Sequence, residues 1–183
     1  MKLNKIMLAA VMALGVSSLA HAAVTDQGHG KVTFSGSIID APCSIAPEYL
    51  DQTVELGAIS NVALKNGGKS TPRNFQIKLE NCELTSAVGA GKNNTVSLTF
   101  TGATSAVDST LLGITGTAKG AGIGLTDASG NDIVLGQKTN AQALQNGSNT
   151  LAFAAYLQGD KASTAKIIPG EFQGVADFTL AYQ

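Results

Sequence analysis

Apolar residues recur at every second position along much of this 183-residue chain. Such alternation is typical of half-buried β-strands, and turn-forming clusters at 66–68, 127–131 and 146–148 separate the runs. No stretch of a dozen residues has an apolar stripe at helical spacing, so helix is expected only as single turns. The alternating apolar positions, which predict about eight strands, are Val32 and Phe34; Val54 and Leu56; Phe75, Ile77 and Leu79; Val96, Leu98 and Phe100; Ile123 and Leu125; 133–135; Leu151, Phe153, Ala155 and Leu157; and Ala176, Phe178, Leu180 and Tyr182. Strands this short and this numerous favour an all-β sandwich of the immunoglobulin-like kind.

The first 22 residues differ from the rest of the chain. Two lysines precede an apolar run from Ile6 to Val16, and Ala20-His21-Ala22 supplies the small residues that a signal peptidase reads. The apolar run spans about a dozen residues, whereas a helix needs about 20 to cross a bilayer. We therefore predict a secretory signal peptide at residues 1–22, a mature chain that starts at Ala23, and no direct membrane anchoring.

Composition and charge exclude several classes of function. The 12 basic and 13 acidic residues give a formal charge of −1, which becomes −3 when the two lysines of the leader are removed, so a nucleic-acid partner is not expected. After removal of the leader His29 is the one histidine left, and it lies between two glycines near the mature N-terminus, a poor place for the base of a catalytic triad. No motif marks a catalytic or cofactor-binding site, and we predict that the protein is not an enzyme.

Cys43 and Cys82 are the two cysteines of the chain. In an exported protein the default interpretation is a structural disulfide, because oxidising compartments preserve such bonds. A redox pair normally has close spacing, and a closed loop of about 40 residues would stabilise the domain by about 4 kcal/mol. Two thiols and one distant histidine do not complete a zinc site, so no metal is predicted.

The mature N-terminal segment, from Ala23 to Phe34, alternates like a strand but has little to bury. The residues on one of its faces are Val24, Asp26, Gly28, Gly30, Val32 and Phe34. Two interpretations remain open at this point. The segment is either a frayed terminus that leads into the first strand, or a strand added edge-on to another molecule, with glycine where the acceptor groove is too shallow for a side chain.

The C-terminal segment carries the longest uninterrupted alternation and runs to the last residue. Phe178, Leu180 and Tyr182 fall on one face, which predicts a core strand rather than a tail. If the neighbour of this strand is missing, it presents both an apolar surface and an unpaired edge.

Four short motifs form a specific combination that extends along the whole chain. They are Gly28-His-Gly30-Lys-Val-Thr-Phe34-Ser-Gly36, Asp40-Ala-Pro-Cys43, Leu79-Glu-Asn-Cys82, and Gly170, fourteenth from the end, with the penultimate Tyr182. The combination resembles fimbrial subunits of the chaperone–usher pathway, closest to the major pilins of P-type and mannose-resistant/Proteus-like fimbriae. Asp26 departs from that family, in which an uncharged residue is common at the corresponding place.

The resemblance implies an incomplete immunoglobulin-like sandwich at residues 35–183 that lacks its last strand. A periplasmic chaperone would fill the resulting groove until export through an outer-membrane usher, when residues 23–34 of the next identical or related pilin would replace it. Gly30 would face a shallow pocket, while Val32 and Phe34 would fill deeper ones. The segment implied to be recognised by the chaperone and to form the acceptor edge contains Gly170, Ala176, Phe178, Leu180 and Tyr182.

The function implied by the resemblance is that of a structural major subunit of an extracellular surface fimbria that supports cell adhesion. A minor adaptor subunit of the same fibre is the alternative. A receptor-binding tip lectin is disfavoured, because tip adhesins carry an additional N-terminal domain for which we expect no room. The absence of tryptophan also argues against a sugar-stacking site.

Overall fold

The computed structural model describes residues 28–84, 94–106, 108–162 and 166–183. These residues fall into two units, which divide between Ile38 and Ile39. The described part of the first unit, residues 28–38, is exposed and has no regular secondary structure. The second unit contains short 3₁₀ helices at Pro47–Tyr49 and Lys65–Gly67 and the strands β1 (Ser44–Ile45), β2 (Arg73–Cys82), β3 (Thr95–Gly102), β4 (Thr115–Gly116), β5 (Ala121–Asp127), β6 (Asp132–Ile133), β7 (Gln142–Ala143), β8 (Gly147–Gly159), β9 (Phe172–Gln173) and β10 (Ala176–Tyr182).

The larger sheet has the strand order β1-β2-β8-β5-β6, and all its pairs are antiparallel. Strand β8 lies at its centre, with Ile77 of β2 opposite Leu151 and Ile123 of β5 opposite Leu157. Alternation predicted a half-buried β8, but the strand is buried on both faces from Phe153 to Gly159. On the outer face Tyr156 lies over Gly124 of β5, where a Cβ atom would collide with the tyrosine ring, and at the end of the strand Gly159 lies against Leu64.

The smaller sheet has the order β10-β3-β7, and β10 pairs with β3 from Ala176 opposite Gly102 to Tyr182 opposite Val96. Strands β4 and β9 form a separate two-stranded pair. The aromatic rings of the core connect the sheets, because Phe100 of β3 lies 5.2 Å from Phe153 of β8 and 6.3 Å from Phe178 of β10, measured between ring centroids. Such edge-to-face and tilted contacts add to the burial of apolar surface.

The predicted disulfide between Cys43 and Cys82 is confirmed. It joins the residues before β1 to the end of β2, and both half-cystines are buried. Asn149 of β8 donates from Nδ2 to Sγ of Cys82 at 3.3 Å. The bond therefore ties the short edge strand β1 to the end of its neighbour β2.

Most predicted strands are confirmed as β2, β3, β5, β6, β8 and β10, although β6 covers only the start of the 133–135 run. Two are wrong within this chain. Val54 and Leu56 are half-buried but belong to no strand, because no described strand pairs with that segment. Val32 and Phe34, expected to be half-buried, are 74% and 90% exposed and likewise belong to no strand. The predicted signal peptide lies outside the described residues.

Candidate functional site

A groove with a volume of about 1600 Å³ opens in the second unit. One wall is the segment 49–59, which follows the first 3₁₀ helix, and the other is the segment 167–178, which runs into β10. Core side chains form the floor, including Ile77, Phe100 and Leu157. The groove thus brings the interior of the sandwich close to solvent, which a finished sandwich avoids.

Strand β10 borders this groove with an open edge. It pairs with β3 on one side, and among the described residues no strand pairs with it on the other. The reciprocal hydrogen bonds between Gln183 and Thr95, at 3.0 and 3.1 Å, show which residues bond to β3. Because these bonds alternate along an antiparallel pair, the N–H and C=O groups of the even-numbered residues of β10 face away from β3. The open edge is therefore a row of backbone donors and acceptors available to an added strand.

The inward side chains of β10 are only half-buried, although the sequence predicted a core strand. Ala176 and Phe178 line the groove. Leu180 and Tyr182 continue the same face and pack against the core cluster. Burial raises the pKa of the Tyr182 phenol above its usual value. For Ala176 and Phe178 the partial exposure is due to the groove, which leaves this part of the face of β10 uncovered.

Gly170 lies in the wall before β10 and has a packing role that the sequence did not reveal. A Cβ atom at this position would collide with Oγ1 of Thr117 and lie 2.7 Å from the backbone nitrogen of Ala118. Hydrogen bonds keep the two segments close together here: the backbone N–H groups of Thr117 and Ala118 both donate to the carbonyl oxygen of Glu171, at 3.0 and 3.1 Å. The absence of a side chain is what allows this wall of the groove to close on residues 117–118.

The N-terminal residues singled out by the sequence lie in the first unit. Gly28, Gly30, Val32 and Phe34 are all exposed, whereas Val24 and Asp26 lie outside the described residues. A Cβ atom on Gly30 would meet no other atom within 4 Å. The local packing of the single chain therefore gives no reason for glycine at position 30.

Sequence reasoning missed the wall formed by residues 49–59. The alternation of Val54 and Leu56 predicts a half-buried strand, but side-chain parity does not tell whether a backbone partner exists. The charged residues around the groove were also missed. They are mostly acidic and comprise Asp51, Glu55, Lys119, Glu171 and Asp177.

Two kinds of site are absent from the described part of the chain. It contains no group of three or more histidine, cysteine, aspartate or glutamate residues placed to hold a metal ion. Nor does any described helix combine the length and apolar character needed to cross a bilayer. The groove and the open edge of β10 are thus the features that a functional interpretation has to explain.

Comparison with known proteins agrees on one family. A family model described as "Fimbrial protein" matches residues 32–183. The chain is 65% identical to the Fimbria A protein of Serratia marcescens over 183 residues, which cover both chains completely. It is 51% identical to the major MR/P fimbria protein of Proteus mirabilis over 186 residues, again covering both chains completely.

The three-dimensional comparison agrees with the sequence comparison. A subunit in a solved chaperone–usher pilus, studied for the uncoiling of its rod, superimposes with a TM-score of 0.76 at 38% identity, covering 86% of this chain and 97% of that one. The likeness confirms the immunoglobulin-like pilin fold that the sequence implied. Sequence and structure together show that the chain belongs to the fimbrial protein family and is a structural subunit of an extracellular surface fimbria, not an enzyme.

Proposed function

We propose that this major subunit polymerises by strand exchange, with residues 23–34 of one copy filling the groove of the next copy beside β10. The observation that carries the proposal is the open edge of β10 along a groove floored by the core. An added strand would satisfy the outward backbone groups of β10 and cover the half-buried face of Phe178. The fibre would then consist of sandwiches that are each completed by a neighbour.

The N-terminal segment has the properties expected of the strand that is added. Val32 and Phe34 are exposed in the single chain, and burying an apolar side chain of this size contributes about 1.5–3 kcal/mol. Glycine at positions 28 and 30 leaves the same face nearly bare, which suits a place where the floor of the groove is high. Val32 and Phe34 would thus anchor the segment in the groove, and the two glycines would let its backbone pass where there is no space for a side chain.

Before assembly, the open edge needs a temporary partner. An exposed strand edge beside an apolar groove promotes unwanted pairing between chains. We therefore propose that a periplasmic chaperone occupies the groove until an outer-membrane usher brings the next subunit, as the chaperone–usher pilus among the structural neighbours suggests. The same groove would serve both partners in turn.

Substitution of Gly30 by valine tests the exchange. The backbone at Gly30 has open space around it, so Gly30→Val should leave the folding and export of the subunit intact. In the groove of the next copy the added side chain should block insertion, so electron microscopy of cells that carry only this variant should show no fibres. Gly36→Val is the matched control, because Gly36 also has open space but lies beyond the exchanged segment, and fibres should persist. Normal fibres from Gly30→Val would overturn the proposal.

A further inference from the structure

Each of the two strands that the proposed exchange would pair carries one charged residue on its outer face; the exchanged segment also contains Asp26, which by parity belongs to the inner face. In residues 28–34 that charge is Lys31, and in β10 it is Asp177. Both side chains are exposed. Both are odd-numbered, so they lie on the face opposite to that of Phe34 and Phe178, whose even-numbered positions point toward the groove. The charges are opposite in sign and would share the outer face of the completed sheet.

The inward side chains favour one antiparallel register. If residue 30 lies opposite residue 178, the pairs combine small with large: Phe34 with Gly174, Val32 with Ala176, Gly30 with Phe178, and Gly28 with Leu180. A shift of two residues in one direction places Val32 opposite Phe178, and a shift in the other places Phe34 opposite Phe172. Either shift moves Gly30 away from Phe178, whose ring in the favoured register covers the bare glycine backbone of the opposite strand, an arrangement that stabilises glycine in a sheet.

This register, chosen on the inner face alone, brings Lys31 directly opposite Asp177 on the outer face. The hydrogen-bonding pattern adds a second argument. The open backbone groups of β10 belong to its even-numbered residues, so a pair of odd-numbered residues is a non-hydrogen-bonded pair. In such pairs the Cα atoms are about 4.5 Å apart and the side chains are closest, which favours contact between a lysine and an aspartate.

We infer that Lys31 of one copy forms a cross-strand ion pair with Asp177 of the next copy and fixes the register of the exchanged strand. The inference rests on the proposed strand exchange and names a second copy of this chain as the partner. The role of the ion pair is to position the exchanged strand, because apolar pockets at alternate residues would otherwise tolerate a slip of two residues. Lys31 and Asp177 would thus make the groove selective for a donor that carries a positive charge at this place.

Cysteine cross-linking in assembled fibres tests the register directly. The full-length double variant Lys31→Cys and Asp177→Cys should give fibres that run as a covalent ladder without reductant and as monomers with it, because directly opposite Cα atoms suit a disulfide. The matched control is Lys31→Cys with Thr179→Cys. It should give little cross-linking, since its Cα atoms would lie on a diagonal of about 7–8 Å. Mass spectrometry should identify the linked peptides and exclude pairing with Cys43 or Cys82. A ladder from the control alone, or fibres without a ladder in either variant, would overturn the register.

Charge reversal tests the ion pair, and it decides the matter if the cysteine variants fail to assemble. Lys31→Glu and Asp177→Lys should each speed the dissociation of fibres in denaturant by about two- to fivefold, and the double variant should return to within about twofold of the original rate. High salt should reduce these differences, because the pair is exposed. Lys138→Glu, at an exposed lysine outside both strands, should have little effect.

The two proposals fail in different ways. If the double variant dissociates as fast as the two single effects combined, Lys31 and Asp177 do not interact and the ion pair is overturned. If Gly30→Val still abolishes fibres in that case, the strand exchange stands without it. If Gly30→Val assembles normally, the exchange itself is wrong and the ion pair is overturned with it.

Discussion

Strands β8 and β10 lie on opposite sides of the same core but differ in how completely one chain surrounds them. β8 pairs with β2 along one edge and with β5 along the other, and from Phe153 onward both of its faces are buried. β10 pairs with β3 alone among the described strands, and its inward side chains are half-buried. The contrast shows that this chain finishes one part of its sandwich and leaves an open edge at another, which in the proposed exchange a neighbour would complete.

The difference separates residues that stabilise the single chain from residues that would stabilise the fibre. The phenylalanine in β8 is already buried within one copy, whereas the one in β10 is half-buried and would gain contacts only in the proposed exchange. The chain offers a matched series of three phenylalanines for this comparison, with Phe153 at 2% exposure and Phe34 at 90%. Phe178 in β10 is intermediate between them.

The largest effect on the single chain is expected for Phe153→Ala. The ring contacts both Phe75 and Phe100, at centroid distances of 5.6 and 5.2 Å, and its loss leaves a cavity at the centre of the larger sheet. Unfolding of the monomeric subunit in urea should show a loss of about 3–5 kcal/mol. Phe34→Ala is the control with the same chemical change at an exposed position, and it should leave the monomer within about 0.5 kcal/mol of the original. Equal losses at the two positions would contradict the division into finished and unfinished parts.

A smaller effect on the monomer is expected for Phe178→Ala. Phe178 is half-buried and lines the groove, so its removal should cost about 1 kcal/mol in the monomer, well below the value for Phe153→Ala. In fibres the destabilisation by Phe178→Ala should be larger than in the monomer, and the dissociation temperature should fall accordingly, because the contacts of the ring with the added strand are also lost. Urea unfolding of monomers measures the loss within one copy, and differential scanning calorimetry of fibres measures the additional loss between copies. A loss confined to the monomer would mean that the neighbour does not cover Phe178.

The sequence predicts the finished part of the molecule better than the unfinished part. Alternation located β2, β3 and β10 because each buries mainly one face. It located β5, which is buried on both faces, because glycine occupies the positions that alternate with Ile123 and Leu125. Export together with the two cysteines predicted the disulfide. Alternation failed at Val54 and Leu56, which have the parity of a strand without a backbone partner in this chain. Parity reports which side chains face inward, but it does not report whether an edge is paired, so the groove could be expected only from the resemblance to pilins.

The outer face of β8 provides the last and smallest test of the comparison. Tyr156 lies on this face, and its hydroxyl donates to Oδ1 of Asp132 at 2.9 Å and accepts from Nζ of Lys69 at 2.9 Å. Tyr156→Phe keeps the ring over Gly124 but removes both hydrogen bonds, and it should cost the monomer about 1 kcal/mol in urea unfolding at neutral pH. The control is Tyr49→Phe, because the hydroxyl of Tyr49 accepts a single exposed hydrogen bond, from Gln76. This variant should lose less stability than Tyr156→Phe.

The pH dependence of this difference separates the hydroxyl network from the packing of the ring. Burial is the main cause that raises the pKa of Tyr156 above its usual value of about 10. Because the folded-state pKa is raised, the contribution of the neutral phenol is fully present below pH ~10 and is lost as the pH rises through the folded-state value. The stability gap between the original chain and Tyr156→Phe should therefore narrow in unfolding experiments at alkaline pH, while the gap for Phe153→Ala should not. A gap that stays constant with pH would mean that folding does not perturb the titration of the Tyr156 phenol. A gap near zero at neutral pH would mean that the ring alone holds this side of the sandwich and that the two hydrogen bonds add nothing.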